Sequence, residues 1–240
     1  MNQKNEDLRI LLWDIDGTLI RSNRQGAFKD YTAPLLEKVF GTVGQLDDLS
    51  VSGMTDLQII GEALKDHGFT HEQIRHRLED IKTCYLEEMV RVTTGEELFR
   101  LLPGVRQILE LTDRHPRYRN ALLTGNIEPA ANLKMRLVGL TEFFTLPGAF
   151  GDDSHDRRDL PSIASSRISK RLSTTLRPEQ FIVIGDTPND IACAKHFGAR
   201  VVAVATGRSH SASLLNELGA DAVLNSLIDT DEVIRTFDAL

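Results

Sequence analysis

Apolar residues recur along this chain in two rhythms. Leu8, Ile10, Leu11 and Leu12 form a short, nearly continuous apolar run, and similar runs fall at Arg119–Leu123, Phe181–Ile184 and Val201–Val204. Runs of this length, closed by glycine or polar residues, predict strands buried on both faces, as in parallel sheets. Between them the apolar spacing changes to three and four. That pattern predicts helices over Val105–Leu111, from Pro129 through Leu133, Leu137 and Val138 to Gly139, and over Leu160–Leu172. Further helices are expected through Ile191, Ala194 and Phe197 to Gly198, and near Leu214–Leu218, before a last strand at Ala222–Leu224. Phe143 to Phe150 is a short apolar segment of no clear period. Strands alternating with helices predict an α/β fold with a parallel sheet and helices on both faces.

The stretch after the first strand breaks this alternation. Phe28, Tyr31, Leu35, Leu36 and Val39 recur at helical spacing up to Gly41. Thr55 with Gln58, and Thr70 with Gln73, have the form of capping boxes. The first opens a helix carrying Leu57, Ile60, Ala63 and Leu64. The second opens one burying Ile74, Leu78, Ile81, Tyr85 and Met89. With no strand signal among them, residues 21–95 are expected to form a separate helical unit, inserted into an α/β unit made of 1–20 and 96–240.

Polar chemistry gathers where three strands end. The first runs into Asp14-Ile15-Asp16-Gly17-Thr18. Side chains two apart on a strand face the same way, so Asp14 and Asp16 are expected to converge on one point. Two such charges repel unless a cation lies between them, and a hard divalent ion prefers oxygen ligands. The second strand ends at Thr124-Gly125-Asn126, which offers a hydroxyl and backbone N–H groups. The third ends at Gly185-Asp186-Thr187-Pro188-Asn189-Asp190, where Thr187, Pro188 and Asp190 also suit the N-cap, N1 and N3 positions of the next helix. Each segment alone reads as an ordinary turn. Three on one sheet edge, where open α/β sheets bind ligands, point to a site.

Composition narrows the function. The 240 residues carry a net charge of -7, which argues against broad nucleic-acid binding. No stretch approaches the ~20 apolar residues of a membrane span. The polar start, Met1 to Arg9, lacks the apolar core of a signal segment. Cys84 and Cys193 suggest neither a disulfide framework nor a zinc site, so a cytoplasmic setting is expected.

These motifs, in this order, resemble motifs one, two and four of the haloacid dehalogenase-like hydrolase superfamily. The helical insertion after the first resembles that superfamily's C1 cap, as in its phosphoglycolate phosphatase and β-phosphoglucomutase branch. The resemblance spans essentially the whole chain and implies a Rossmann-like core. It casts Asp14 as the nucleophile that forms an aspartyl-phosphate, and Asp16 as general acid and then base. It implies magnesium held by Asp14, the Asp16 backbone carbonyl and Asp186, with Asp190 supporting from behind. Thr124 and the N–H groups of Gly125 and Asn126 would hold phosphoryl oxygens. Family members that cleave carbon–halogen bonds lack an acid at the position of Asp16. An alkoxide leaving group needs a proton and a halide does not, so phosphate chemistry is favoured.

One departure is visible. The superfamily's third motif usually carries a lysine, and none lies between Leu140 and Leu160. Arg157 is the best match, with Arg158 and then Lys170 behind it. The expected activity is hydrolysis of a small phosphate monoester by a monomer or small homo-oligomer, with no nucleic-acid or membrane partner. The alternatives are a phosphomutase of the β-phosphoglucomutase type and a non-catalytic phosphometabolite-binding protein. Ser52-Gly53-Met54 reads either as a cap loop over the site or as a plain interhelical turn. Arg21, Arg24 and Lys29 read as an anionic-tail site or as surface charge, and His67, His71 and His76 as cap surface. Trp13 and Cys193 are expected in the core.

Overall fold

Strands Arg9–Trp13 (β1), Tyr118–Leu122 (β4), Phe181–Gly185 (β5), Arg200–Val204 (β6) and Ala222–Leu224 (β7) form one sheet in the order β4-β1-β5-β6-β7. All its pairings are parallel. The computed structural model describes residues 7–240, so residues 1–6 of the polar start and of the first core segment lie outside the described residues. Side-chain alternation along β1 explains its apolar run. Leu11 and Trp13 enter one buried cluster and Ile10 and Leu12 the other. Ile182 and Ile184 divide from Phe181 and Val183 in the same way along β5. The chain passes from β1 to β4 on one side, then back past β1 to β5 on the other. The carboxyl end of β1 therefore lies where the strand order reverses.

Helices Val105–Arg114 (α5), Glu128–Leu137 (α6) and Thr230–Asp238 (α10) cover one face, and Leu160–Leu172 (α7), Pro188–Phe197 (α8) and Ala212–Glu217 (α9) the other. Sequence periodicity had placed no helix after β7. α10 is short, but Asp229 caps it and Val233 and Phe237, four apart, bury its inner stripe. Trp13 meets Phe237 edge to face at a ring separation of 6.0 Å, and donates its indole N–H to Asn120 Oδ1 at 2.9 Å. It is a core residue, as expected, and so is Cys193.

The insertion holds Lys29–Phe40 (α1), Asp56–Leu64 (α2), His71–His76 (α3) and Leu78–Thr93 (α4). Two expectations change there. The helix read from Ile74 to Met89 is broken at Arg77, whose φ of -99° and ψ of 16° separate α3 from α4. Two strands also bracket the insertion. Ile20–Ser22 (β2) and Phe99–Leu101 (β3) pair antiparallel, Ile20 with Leu101 and Ser22 with Phe99. Three residues are too few for a periodic signal. Gly41 ends α1 in the left-handed conformation, and Thr70 and Gln73 form the full capping box on α3. Thr55 makes only half of one, accepting the Gln58 N–H. Among the described residues no helix is long and apolar enough to cross a membrane.

Candidate active site

The sheet brings the three strand ends together. β1 stops at Trp13, and Gly17 takes a φ of +93° in the turn that follows. Beyond β1 the carboxylates of Asp14 and Asp16 have separate partners. Both nevertheless line one cavity, as expected of residues that serve one site. Asp14, with 5% of its surface exposed, faces Arg157, just ahead of α7, and Asp190 of α8. Asp16 sits in the turn, with its side chain 45% exposed, and faces α6.

Asp14, Asp186 and Asp190 form one buried cluster, each offering a carboxylate oxygen within 4.8 Å of the others. Arg157 joins it. Its Nη2 donates to Asp14 Oδ1 at 2.8 Å and to Asp190 Oδ1 at 2.5 Å. Of the three cations weighed for the missing third motif, Arg157 is the one in the site. Arg158 is exposed and pairs with Asp156, and Lys170 lies exposed on α7. The other Asp190 oxygen, Oδ2, accepts the Thr187 N–H at 2.9 Å and hydroxyl at 2.7 Å, closing the capping box of α8. Both Asp190 oxygens are thus engaged by protein groups, as suits a supporting position.

Three carboxyl groups face one guanidinium in a buried space, an excess of two negative charges when all are ionised. Burial, with the neighbouring Asp190 and Asp16 charges, pushes the Asp14 carboxyl up to about 7 even though Arg157 pulls it down. Burial and Asp14 likewise raise Asp186 well above the ordinary range. A Cβ on Gly17 or on Gly207 would lie only 2.4 Å or 2.0 Å from Asp186 Oδ2. These two glycines form the walls that hold that carboxylate in place. An all-oxygen donor set with this excess charge fits a hard divalent cation.

Thr124 is fully buried and its Oγ1 accepts the Asn126 N–H at 3.3 Å. The Asn126 side-chain amide donates to Thr124 Oγ1 and to Asp16 Oδ2, both at 2.8 Å. Lys134 of α6 completes this group, its Nζ lying 2.6 Å from both Asp16 Oδ2 and Asn126 Oδ1. Burial works against its charge most strongly, but Asp16, Tyr31 and Asp56 together outweigh it and hold the ammonium above the usual lysine range. Sequence reading missed Lys134. The signal was present: it lies three and four residues after Ala131 and Ala130, on the buried stripe of α6, where a lysine is out of place.

The insertion sits directly over these groups. Gly53 O accepts from Asn189 Nδ2 at 2.8 Å and from Arg157 Nη1 at 3.3 Å. A Cβ on Gly125 would lie 2.2 Å from Met54 O. Ser52-Gly53-Met54 is therefore a loop over the site rather than a remote turn. Asp56, also missed, is buried at the start of α2 and accepts the Ile127 N–H at 2.8 Å and the Tyr85 hydroxyl at 3.1 Å. Its own N–H donates to Gly125 O at 2.7 Å. Lys82 of α4 pairs with Asp152 at 2.8 Å. These contacts enclose a cavity of about 340 Å³ whose lining includes Asp14, Asp16, Phe28, Tyr31, Met54 and Arg157. Arg21, Arg24 and Arg208 line it as well, and Arg24 also pairs with Asp30 at 2.5 Å. Lys29 pairs with Asp47 at 2.8 Å. His67, His71 and His76 are exposed on the insertion, as expected.

An acid cluster at the reversal point of a parallel sheet, roofed by helices inserted after the first strand, is the architecture of a capped α/β hydrolase. The chain belongs to the haloacid dehalogenase-like hydrolase family, whose model matches residues 8–198. It is 25% identical to a phosphoglycolate phosphatase of Chromobacterium violaceum, over 98% of this chain and 99% of that protein. It is 21% identical to a phosphoglycolate phosphatase of Vibrio vulnificus, over 95% of this chain and 97% of that one. Among solved structures it matches CbbY of Rhodobacter sphaeroides, crystallised in complex with phosphate, with a TM-score of 0.64 and 18% identity over 92% of this chain and 96% of that one. That last likeness speaks for the fold.

Proposed function

We propose that the protein is a magnesium-dependent phosphatase that hydrolyses a small phosphate monoester through an aspartyl-phosphate on Asp14. Residues 21–95 serve as the cap and 1–20 with 96–240 as the catalytic core. The observation that carries this reading is the separation of Asp14 from Asp16. One aspartate lies in a cation-seeking cluster, while the other stands two residues away on the cavity side with partners of its own.

Asp14, Asp186 and the backbone of Asp16 would hold magnesium, which when bound offsets the charge that keeps an anionic nucleophile from an anionic phosphate. Arg157 fixes Asp14 Oδ1, which leaves the other oxygen to attack phosphorus. Asp16 gives its proton to the departing alkoxide, then takes one from the water that hydrolyses the aspartyl-phosphate. Thr124 and the N–H groups beside it face the transferring oxygens, and the Gly53–Met54 loop keeps bulk water away. A cavity of about 340 Å³ suits a small metabolite. The phosphoglycolate phosphatase relatives support this substrate class.

The test is phosphate release from p-nitrophenyl phosphate with magnesium and with EDTA, for wild type and Asp14→Asn. Turnover that needs metal and is lost in the variant supports the reading. Tight binding of phosphometabolites without turnover would replace it with a binding protein. Conversion of a hexose 1-phosphate to its 6-phosphate, without phosphate release, would replace it with a mutase.

A further inference from the structure

Lys134 has no role in the mechanism above, yet its burial is costly and its placement specific. Taking an ammonium out of water costs several kcal/mol unless its donors find partners. Here all the partners belong to the site: Asp16 Oδ2 and Asn126 Oδ1 at 2.6 Å, and the Phe99 ring, whose centroid is 5.3 Å from Nζ. Asn126 donates to the same Asp16 oxygen at 2.8 Å. Two donors thus clamp Oδ2, while Oδ1 accepts no hydrogen bond among the described residues and belongs to a carboxylate 45% exposed on the cavity side. An exposed carboxylate in a turn would otherwise rotate and present either oxygen. The clamp leaves one.

We propose that Lys134 is the positioning residue of the proton carrier: it holds Asp16 by Oδ2 so that Oδ1 faces the leaving group. This rests on the reading of Asp16 as general acid. Lys134 transfers no proton itself. The proton moves from Asp16 Oδ1 to the alkoxide oxygen as the P–O bond breaks, and the carboxylate left behind remains held by the ammonium.

The orientation of α6 supports the assignment. Its first N–H groups are taken by acids that fix the helix against the cap. Ile127 N–H donates to Asp56, and Glu128 N–H donates at 2.8 Å to Asp152, the partner of Lys82. The element that carries Lys134 is therefore anchored where cap and core meet.

A misplaced acid harms poor leaving groups and spares good ones, whereas general damage to the fold harms both. The experiment is a single-turnover measurement of leaving-group release by the magnesium-loaded enzyme. Wild type, Lys134→Met and Asp16→Asn are compared on p-nitrophenyl phosphate and on a simple alkyl phosphate. General acid catalysis contributes about 10²–10⁴-fold. Lys134→Met should lose roughly tenfold to a hundredfold of this on the alkyl ester, and less than about threefold on the aryl ester. Lys134→Gln, which keeps a donor without the charge, should fall between, and it carries the same test if the Met variant does not fold. Equal losses on both esters, or none, while Asp16→Asn remains selective, would overturn the assignment of Lys134 alone. An unselective Asp16→Asn would overturn the reading of Asp16 and the inference with it.

Discussion

Arg157→Met removes the one cation from a cluster of three buried carboxylates. The guanidinium is 6% exposed and touches Asp14 at 2.8 Å and Asp190 at 2.5 Å. Deleting one partner of a buried pair costs about 3–5 kcal/mol, because the charge left behind stays unsolvated. Against a domain stability of roughly 5–15 kcal/mol, the variant should fold but unfold in markedly less urea when EDTA is present. With its one cation gone the carboxyl cluster is left without a positive partner, so a divalent cation should restore part of the loss. Saturation at a hundred times the dissociation constant contributes about 2.7 kcal/mol. Arg158→Ala is the control. That side chain is 59% exposed and paired only with Asp156, so it should cost no more than about 1 kcal/mol. In phosphate release Arg157→Met should fall by about a hundredfold or more and Arg158→Ala should hardly change. A loss below about 1 kcal/mol for Arg157→Met in EDTA, or a larger effect from Arg158→Ala, would refute the charge reasoning.

Asp56 gives a pH-dependent test. Burial raises its carboxyl to about 6, against the Ile127 N–H, the Lys134 charge and the Tyr85 hydroxyl, which lower it, and Asp16 adds to the rise. Its folded value lies above the unfolded one, so its contribution is fully present below about pH 4 and is lost as pH rises through about 6. Asp56→Asn should therefore gain about 3 kcal/mol more relative to wild type at pH 8 than at pH 4 in urea unfolding; an equal difference at both would count against it. Asp56→Ala, which cannot accept the Ile127 N–H, should raise KM through weakened cap docking and speed amide exchange at Ile127. Gly207→Ala would place a Cβ 2.0 Å from Asp186 Oδ2, so its magnesium requirement should rise at least tenfold in a metal titration of activity; an unchanged midpoint would remove Gly207 from the site. Cys193 is fully buried and burial pushes its thiol up to about 12, so it should resist a thiol reagent at pH 8 until urea is added.

The strand ends were legible in the sequence because each element there obeys a strong local rule. Short apolar runs closed by glycine, such as Phe181–Ile184, fit buried strands, and Thr187, Pro188 and Asp190 announce a helix start. Arg157 was named because the resemblance implies a cation at the third motif and no lysine lies there. What escaped reading depends on long-range packing. β2 and β3 are three residues each and exist because they pair with one another across the insertion. Asp14 and Asp16 take separate partners, Arg157 and Lys134, which lie 143 and 118 residues away in the chain. Asp56 looks like any acid in the first turn of a helix, and only its contact with Ile127, 71 residues away, reveals its burial in the site. Lys134 broke a local rule on a buried stripe, and such breaks are where function is to be sought.

The central claim, that Asp14 carries the phosphoryl group, is tested most directly by trapping it. Asp16→Asn should still transfer phosphate from p-nitrophenyl phosphate, whose leaving group needs little help, but should hydrolyse the intermediate slowly. Acid quenching followed by mass analysis should then find one added phosphoryl group on the peptide containing Asp14, removable by hydroxylamine. Steady phosphate release with no such adduct, or an adduct on another residue, would contradict the account.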